Sequence, residues 1–449
     1  MTLRRLLIAN RGEIAVRIIR TCERLGIESV LAASEADLDS LPARLADRTV
    51  CIGPPPAGAS YLDAQAIIAA GKAARVDALH PGYGFLSENA RFARLCRAAG
   101  ILYVGPTDAQ LDAVGDKLRA REQAARCGLP ILPGGAVASA QEAAAIAERI
   151  GWPILIKAVG GGGGRGMKPV REPAELPRAL ELAIAEARGA FADPRVYVER
   201  FIASARHIEV QLLGDGVRIA ALGERDCSVQ RRYQKLLEEA PAPRLPEQLR
   251  ARLKASALTF GRHLGYCGAG TVEFLVDAAR GEFYFLEMNA RIQVEHPVTE
   301  AVTGLDIVAW QIAIAEGRAL AASLAEVPVA GHALECRINA EDPARDFRPS
   351  PGTITRAVFP AGPGIRIDTH IEAGASVPPY YDSLLAKIIV HAPERLQCLE
   401  RMRTALAATR IEGVATNLAV HAALIDAPEL AEGGVDTAFC ARFIHAMRR

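Results

Sequence analysis

Residues 160–164 are five consecutive glycines, closed by Arg165 and Gly166 and preceded by the apolar run Pro153-Ile154-Leu155-Ile156-Lys157. Glycine buries nothing and loses the most backbone entropy on ordering, so such a run cannot belong to a core. It offers instead a strip of unhindered backbone N–H groups able to close over an anion, and nucleotide phosphates are the obvious guest. Gly161, Gly163 and Gly166 formally match the dinucleotide fingerprint. That fingerprint needs a helix immediately afterwards, whereas Met167-Lys168-Pro169-Val170 reads as a strand interrupted by proline. No Gly-Lys-Ser/Thr ends the run, so it is not a Walker A loop either. The pattern predicts a β-hairpin with a glycine tip, a lid. A flexible linker is the other reading, and the closely flanking strands argue against it.

A chain of 449 residues is long for one domain, and two or three are expected. The balance of 53 basic against 52 acidic residues gives no support to bulk electrostatic binding of nucleic acid or an anionic membrane. Nine scattered cysteines without a C-x-x-C read as buried reduced thiols of a cytosolic protein. Arg11 and Glu13 cut short the apolar run at residues 6–9, too early for a signal-peptide core. No uncharged apolar stretch reaches the ~18 residues of a membrane-crossing helix. A cytoplasmic location is expected.

The first ~110 residues alternate short apolar runs (6–9, 30–32, 78–79, 101–104) with helical patterns (14–25, 64–74, 92–99), which predicts a doubly wound parallel sheet. The turn at residues 10–13 then falls at a strand's carboxyl end, where such folds bind ligands. From about Asp116 the chain turns to β-like segments (195–199, 207–213, 217–222, 271–276, 282–288) with helices at 249–264 and 306–316. The final part mixes strands (333–338, 365–367) with a helix at 396–408, and Pro328 and Gly331 mark a credible boundary. The fold class is thus α/β and α+β, with an N-terminal doubly wound sheet, a central region carrying the lid, and a mixed α+β C-terminal region.

Three constellations carry chemistry. Residues 271–276 and 282–288 flank a turn at 278–281, and centring the hairpin on Arg280 sets Glu273 against Glu287 and Leu275 against Phe285. Like charges directly opposite are destabilising; a divalent cation between them reverses that cost, and Asn289 shares their face. Taken alone, the pair also reads as two solvated surface glutamates. Arg291, Gln293, Glu295 and His296 crowd the next few positions, too many polar groups for an ordinary surface loop. Arg231-Arg232-Tyr233-Gln234-Lys235 with Glu238-Glu239 reads, in isolation, as a solvated mixed-charge segment. The segment from His80 to Phe85 suits a rigid structural turn, and His207 suits a hydrogen-bonded strand position.

Taken in order, several segments make the chain resemble the biotin carboxylases, the ATP-grasp component of biotin-dependent carboxylases. They are residues 9–15, His80-Pro81-Gly82-Tyr83-Gly84-Phe85 continuing to Asn89, the Lys157 glycine lid, 224–228, 238–241, 287–297, 336–343 and 378–383. The resemblance covers nearly the whole length and implies three regions: 1–114, an ATP-grasp domain at 115–330 with its lid at about 132–202, and 331–449. It implies that ATP phosphorylates bicarbonate to carboxyphosphate, whose carbon dioxide passes to N1 of biotin. Lys117, Lys157, Gly163, Gly164 and His207 would contact the phosphates. The backbone of Glu199, Arg200, Phe201 and Ile202 would hold the adenine, and Tyr233 would lie by the nucleotide. Glu273, Glu287 and Asn289 would bind Mg2+ or Mn2+, the two glutamates also counting towards the ATP site. Lys235, Arg291, Gln293 and the Val294 backbone would hold bicarbonate, Glu295 would be its general base, and Arg337 would face biotin; Glu295, Arg291, Arg337 and Lys235 form the catalytic group. Many relatives have histidine where this chain has Tyr233. The chain lacks the Ala-Met-Lys-Met hairpin that biotin-bearing domains resemble one another in. Biotin is therefore expected on a separate biotin carboxyl carrier protein, with a carboxyltransferase as further partner and a homodimer as the assembly; no nucleic acid or membrane is expected. Another ATP-grasp ligase would share the lid and metal chemistry but leave Arg337 and residues 378–383 idle.

Overall fold

The alternation at the N-terminus builds a parallel sheet, as its apolar runs require. The computed structural model describes residues 2–160, 166–191 and 193–447. In it, β1 (Arg5–Ile8), β2 (Glu28–Ala33), β3 (Arg48–Cys51), β4 (Ala78–His80) and β5 (Leu102–Tyr103) lie in the order β3-β2-β1-β4-β5. All four pairings are parallel. The order reverses between β1 and β4, so the loops leaving their carboxyl ends frame a crevice. Asn10 Nδ2 ties the two loops together by donating to the carbonyls of Pro81 (2.8 Å) and Tyr83 (2.7 Å). Gly82, at φ +63°, is needed at that approach, because a Cβ there would lie 2.8 Å from Asn10 Nδ2. β3 escaped the sequence reading: its residues are half-buried or exposed and carry no apolar run.

The lid is a hairpin. β6 (Gly134–Val137), β7 (Ile154–Ala158), β8 (Met167–Val170) and β9 (Val196–Arg200) form an antiparallel sheet in the order β6-β9-β7-β8. β7 and β8 pair from Ile154↔Val170 to Lys157↔Met167, and the tip, with Gly163 and Gly164, lies outside the described residues. Helices Ala140–Ile150 and Leu176–Phe191 cover the sheet, burying Ala143, Ala147 and Leu180 against Ile154, Ile156 and Val198.

The third sheet has eight strands and positions the site. It comprises β10 (Arg206–Asp215), β11 (Ile219–Arg231), β12 (Gln234–Ala240), β13 (Cys267–Asp277), β14 (Glu282–Asn289) and β15 (His332–Asn339), with strands Leu384–Ala392 and Ile365–Thr369 beyond β15. The order is β14-β13-β10-β11-β12-β15, then those two. One antiparallel sheet thus runs past the boundary expected at Gly331. On β10, Ile208, Val210 and Leu212 enter the core beneath helix Glu247–His263, and the strand's period of two turns His207, Glu209 and Gln211 to the opposite face. In the β13–β14 hairpin Glu273 does face Glu287, but Phe285 faces Phe274 and not Leu275. A bulge between the two pairs, with Leu286 as the extra residue, causes that difference.

All nine cysteines are free; six are buried, but Cys51 is exposed and Cys127 and Cys267 are half-buried, so the expectation of buried thiols fails at those three. Among the described residues, no single helix is long and apolar enough to cross a membrane.

Candidate active site

One cavity of about 780 Å³ opens between the β1 and β4 loops, the lid sheet and the polar face of the large sheet. Lys117, Lys157, Glu199, Arg200, Phe201, Ile202, His207, Tyr233, Lys235, Glu273, Glu287, Asn289, Arg291, Gln293, Val294, Glu295 and Arg337 all line it. Residues far apart in sequence therefore meet in one place of a size suited to a nucleotide.

Strand register sets up the electrostatics. Glu287, Glu273 and Glu209 stand side by side on β14, β13 and β10, and Arg225 of β11 follows directly opposite Glu209. Three carboxylates in a row across a buried face would repel one another, so each has acquired a cation. Lys117 Nζ is 2.6 Å from Glu287 Oε2. Arg225 Nε donates to Glu209 Oε1 at 2.5 Å. Lys235 Nζ lies at the centre, 2.7 Å from Glu209, 3.0 Å from Glu273 and 2.7 Å from Glu295. Burial would strip the Lys235 proton, but those three carboxylates push its pKa well above the ordinary lysine value. Burial likewise opposes ionisation of Glu273, yet Lys235 and then His207, whose Nε2 is 3.0 Å away, hold it well below the usual carboxylate range. The segment 231–235, read as solvated, thus places a lysine with only 12% of its side chain exposed at the hub. The reason is a two-residue hairpin turn: Arg232 and Tyr233 both have positive φ (49° and 66°), Arg231 pairs with Gln234, and Lys235 follows onto the sheet face.

Glu295 caps helix His296–Thr303 and is almost wholly buried. Its Oε1 accepts from Lys235 and its Oε2 from Arg337 Nη2 at 2.8 Å. Against burial, Lys235 and Arg337 hold its pKa well below the usual range, so it is ionised at neutral pH. Arg291 spreads its guanidinium over Glu88 (3.0 Å), Gln293 (2.7 Å) and Asn289 (2.8 Å). On the lid side Lys157 Nζ and Arg121 Nη1 each donate to Glu199 at 3.0 Å.

Several site residues were missed from sequence. Glu209 anchors Lys235 and is itself held by Arg225; Gln230 Nε2 lies 2.8 Å from His207 Nδ1; and Glu88 accepts from the Ala290 amide as well as Arg291. One signal was available for the first: His207, Glu209 and Gln211 alternate with Ile208, Val210 and Leu212, an unusual polar stripe for a strand inside a core.

Glu273 and Glu287 face each other on adjacent strands, and Asn289, opposite Thr271, follows on the same face. Their mutual repulsion is a felt one, since Glu273 opposes ionisation of Glu287 while Lys117 favours it. Two opposed carboxylates with an amide oxygen beside them are hard ligands, and the set fits a magnesium-like ion.

A glycine-tipped hairpin sheet and a larger antiparallel sheet closing on a cavity with paired carboxylates and convergent lysines define an ATP-dependent ligase of the ATP-grasp class. Residues 2–111 match the sequence profile "Biotin carboxylase, N-terminal domain", 116–323 match "Carbamoyl-phosphate synthase L chain, ATP binding domain", and 335–442 match "Biotin carboxylase C-terminal domain". The chain is 49% identical to the biotin carboxylase of Nostoc sp. over 97% of its own length and 98% of that protein's. It is 48% identical to that of Pseudomonas aeruginosa, covering 97% of each. Among solved structures, the biotin carboxylase–beta-gamma-ATP complex from Campylobacter jejuni superposes with a TM-score of 0.95 at 44% identity, covering 98% of this chain and 99% of that one. The biotin carboxylase domain dimer of Hydrogenobacter thermophilus 2-oxoglutarate carboxylase, in complex with MgADP, ADP and bicarbonate, gives 0.95 at 42%, covering 99% and 98%. The chain belongs to the biotin carboxylase family. Its activity is the ATP- and Mg2+-dependent carboxylation of biotin, the first half-reaction of biotin-dependent carboxylases.

Proposed function

We propose that the residues gathered in the cavity divide this reaction among them as follows. Lys235, Arg291, Gln293 and the Val294 backbone hold bicarbonate, and Glu295 removes its proton as it attacks the γ-phosphoryl group of ATP. Bicarbonate is a poor nucleophile, and a carboxylate already ionised beside it is ready to take that proton. Lys117 and Lys157, with His207 and the glycines Gly163 and Gly164, offset the charge developing on the transferred group. Glu199 to Ile202 border the adenine and Tyr233 borders the nucleotide. Glu273, Glu287 and Asn289 hold Mg2+ or Mn2+, which supplies charge neutralisation to the phosphates. Carboxyphosphate breaks down to carbon dioxide and phosphate; the phosphate takes the N1 proton of biotin, and N1 takes up the carbon dioxide. Arg337, permanently charged and forked, stabilises the enolate-like oxygen of deprotonated biotin. The lid keeps water from the carboxyphosphate.

Glu295 carries this reading: one oxygen accepts from Lys235 at 2.7 Å and the other from Arg337 at 2.8 Å, so the carboxylate joins the group assigned to bicarbonate to the group assigned to biotin. Biotin arrives on a separate biotin carboxyl carrier protein, a carboxyltransferase takes the product onward, and the subunit works as a cytoplasmic homodimer. Its domains are 1–114, 115–330 and 331–449, with the lid at about 132–202. The dimer described for the Hydrogenobacter thermophilus domain supports the assembly.

The purified chain with Mg-ATP, bicarbonate and free biotin should release ADP in a biotin-dependent way; no such release at any biotin concentration would overturn the proposal. Glu287→Gln should raise the Mg2+ concentration needed for half-maximal turnover on the order of 10–100-fold, with the circular dichroism spectrum unchanged. Tyr233→His should alter the KM for ATP by less than about tenfold and leave the fold intact, since histidine tolerates positive φ better than most residues. Steady-state kinetics checks this, and a collapse of kcat would count against a peripheral place for that ring.

A further inference from the structure

Behind Arg337 lie two carboxyl groups that the reaction does not use. Glu238 of β12 and Glu335 of β15 are directly opposite each other in register, and both are fully buried. No oxygen of either group has an aligned hydrogen-bond donor. Arg337 Nη2 comes within 2.5 Å of Glu238 Oε1, an ion pair made off the hydrogen-bond axis, and the same nitrogen donates to Glu295. Arg337 is two residues beyond Glu335 on the same face of β15, and its carbonyl is fixed by Asn417 Nδ2 at 3.0 Å, with His421 Nε2 2.7 Å away.

Two ionised carboxylates facing each other with no exposure to bulk solvent repel and lose bulk hydration. One proton between them removes the repulsion and turns one group into the donor that the other lacks. We propose that Glu238 and Glu335 share a single proton and act as a positioning pair for Arg337, the anionic member holding the guanidinium against Glu295 and the neutral member bracing it. The proposal rests on the assignment of Arg337 to biotin. Burial raises both groups most; Arg337 opposes it at Glu238 and Lys387 at Glu335, and with neighbouring carboxylates adding to burial Glu238 stands at about 7 and Glu335 well above the usual range.

The charged and titratable groups around the pair are few. Arg337 shares β15, Lys235 is on β12, Lys387 stands opposite Arg337 on Leu384–Ala392, and Cys227 of β11 and Cys336 are buried thiols. Helix His296–Thr303 packs on both strands and brings Glu295 and His296. From the helices packed on β15, Arg395 is taken up by Glu239, and His421 lies at the Arg337 carbonyl. Lys387 is engaged with Glu13 at 3.0 Å and the Val294 carbonyl at 2.9 Å; its charge favours ionisation of Glu335, but burial outweighs it.

Loss of the shared proton leaves two anions that draw Arg337 away from Glu295 and biotin. The kcat/KM for free biotin should therefore fall as pH rises through the pair's upper pKa, and Glu335→Gln, which cannot ionise, should abolish that limb. Glu238→Gln should raise the KM for biotin on the order of tenfold, the loss of one charge-assisted contact, and move the KM for ATP far less. Infrared spectroscopy of the wild-type protein should reveal a protonated carboxyl band at neutral pH that titrates away at higher pH and is missing from Glu335→Gln. Absence of the band from the wild type overturns the shared proton. A band accompanied by unchanged biotin kinetics in both variants overturns the positioning role. The band reports the pair whether or not Arg337 serves biotin, so full biotin turnover in Arg337→Ala would sink that assignment alone.

Discussion

Replacing Glu295 by glutamine should lower kcat for biotin-dependent ADP release on the order of 10²–10⁴-fold, the usual contribution of a positioned general base. The amide keeps the size of the carboxylate and can still accept from one of the two cations, while Lys235 keeps Glu209 and Glu273 and Arg337 keeps Glu238. What disappears is the ability to take a proton. The KM for ATP should change little, because Lys117, Lys157 and Glu287 are untouched. The pH profile gives a second check. Lys235 and Arg337 hold Glu295 well below its usual range against the opposing effect of burial, so its ionisation cannot produce an acid limb near neutrality. A wild-type profile falling between pH 6 and 7 must report another group. Turnover in Glu295→Gln within a few-fold of wild type would show that a different residue is the base.

How much of this was legible in the sequence depends on whether the signal was local. The N-terminal sheet was, because strands buried on both faces are continuous apolar runs; only β3, half-exposed and without such a run, went unread. The Glu273–Glu287 pair was legible because a short hairpin fixes its own register. It held by a narrow margin. The half of the hairpin nearest the turn is displaced by one residue, and the bulge at Leu286 restores the predicted pairing where the two glutamates stand. Lys235 was not legible as a buried hub. Nothing in Arg231-Arg232-Tyr233-Gln234-Lys235 reveals that Glu209, Glu273 and Glu295 from three other segments converge on its ammonium. The pairing of β12 with β15, which opposes Glu238 and Glu335, is a long-range contact of the same kind. Charge arrangements assembled across distant strands are set by tertiary register, and composition near each residue says little about them.

Removing that hub should be costly for the fold itself. Lys235→Met keeps much of the aliphatic stem but leaves Glu209, Glu273 and Glu295 short of a cation in a buried setting, and breaking a buried ion pair in this way costs about 3–5 kcal/mol. Arg225 still serves Glu209 and Arg337 still serves Glu295, so Glu273 loses most; its remaining partners are His207 and the amides of Asn289 and Gln293. The sign of the pH dependence follows from the direction of the shifts. Glu273 and Glu295 have folded-state pKa values below their unfolded ones, so they contribute stability above the ordinary carboxylate value, and that contribution is lost as pH falls through and below it. Methionine at 235 relaxes those shifts. The deficit in denaturation midpoint relative to wild type should therefore hold from pH 7 down to about pH 5 and shrink as the solution is acidified below the ordinary carboxylate value of about 4.3. A deficit that is small at pH 7, or that stays the same at about pH 3, would mean that Lys235 is not the group holding these acids ionised. Because the same ammonium is assigned to bicarbonate, Lys235→Met should lose turnover and stability together, whereas Glu295→Gln, which leaves Lys235 with Glu209 and Glu273 and Arg337 with Glu238, should lose turnover far more than stability.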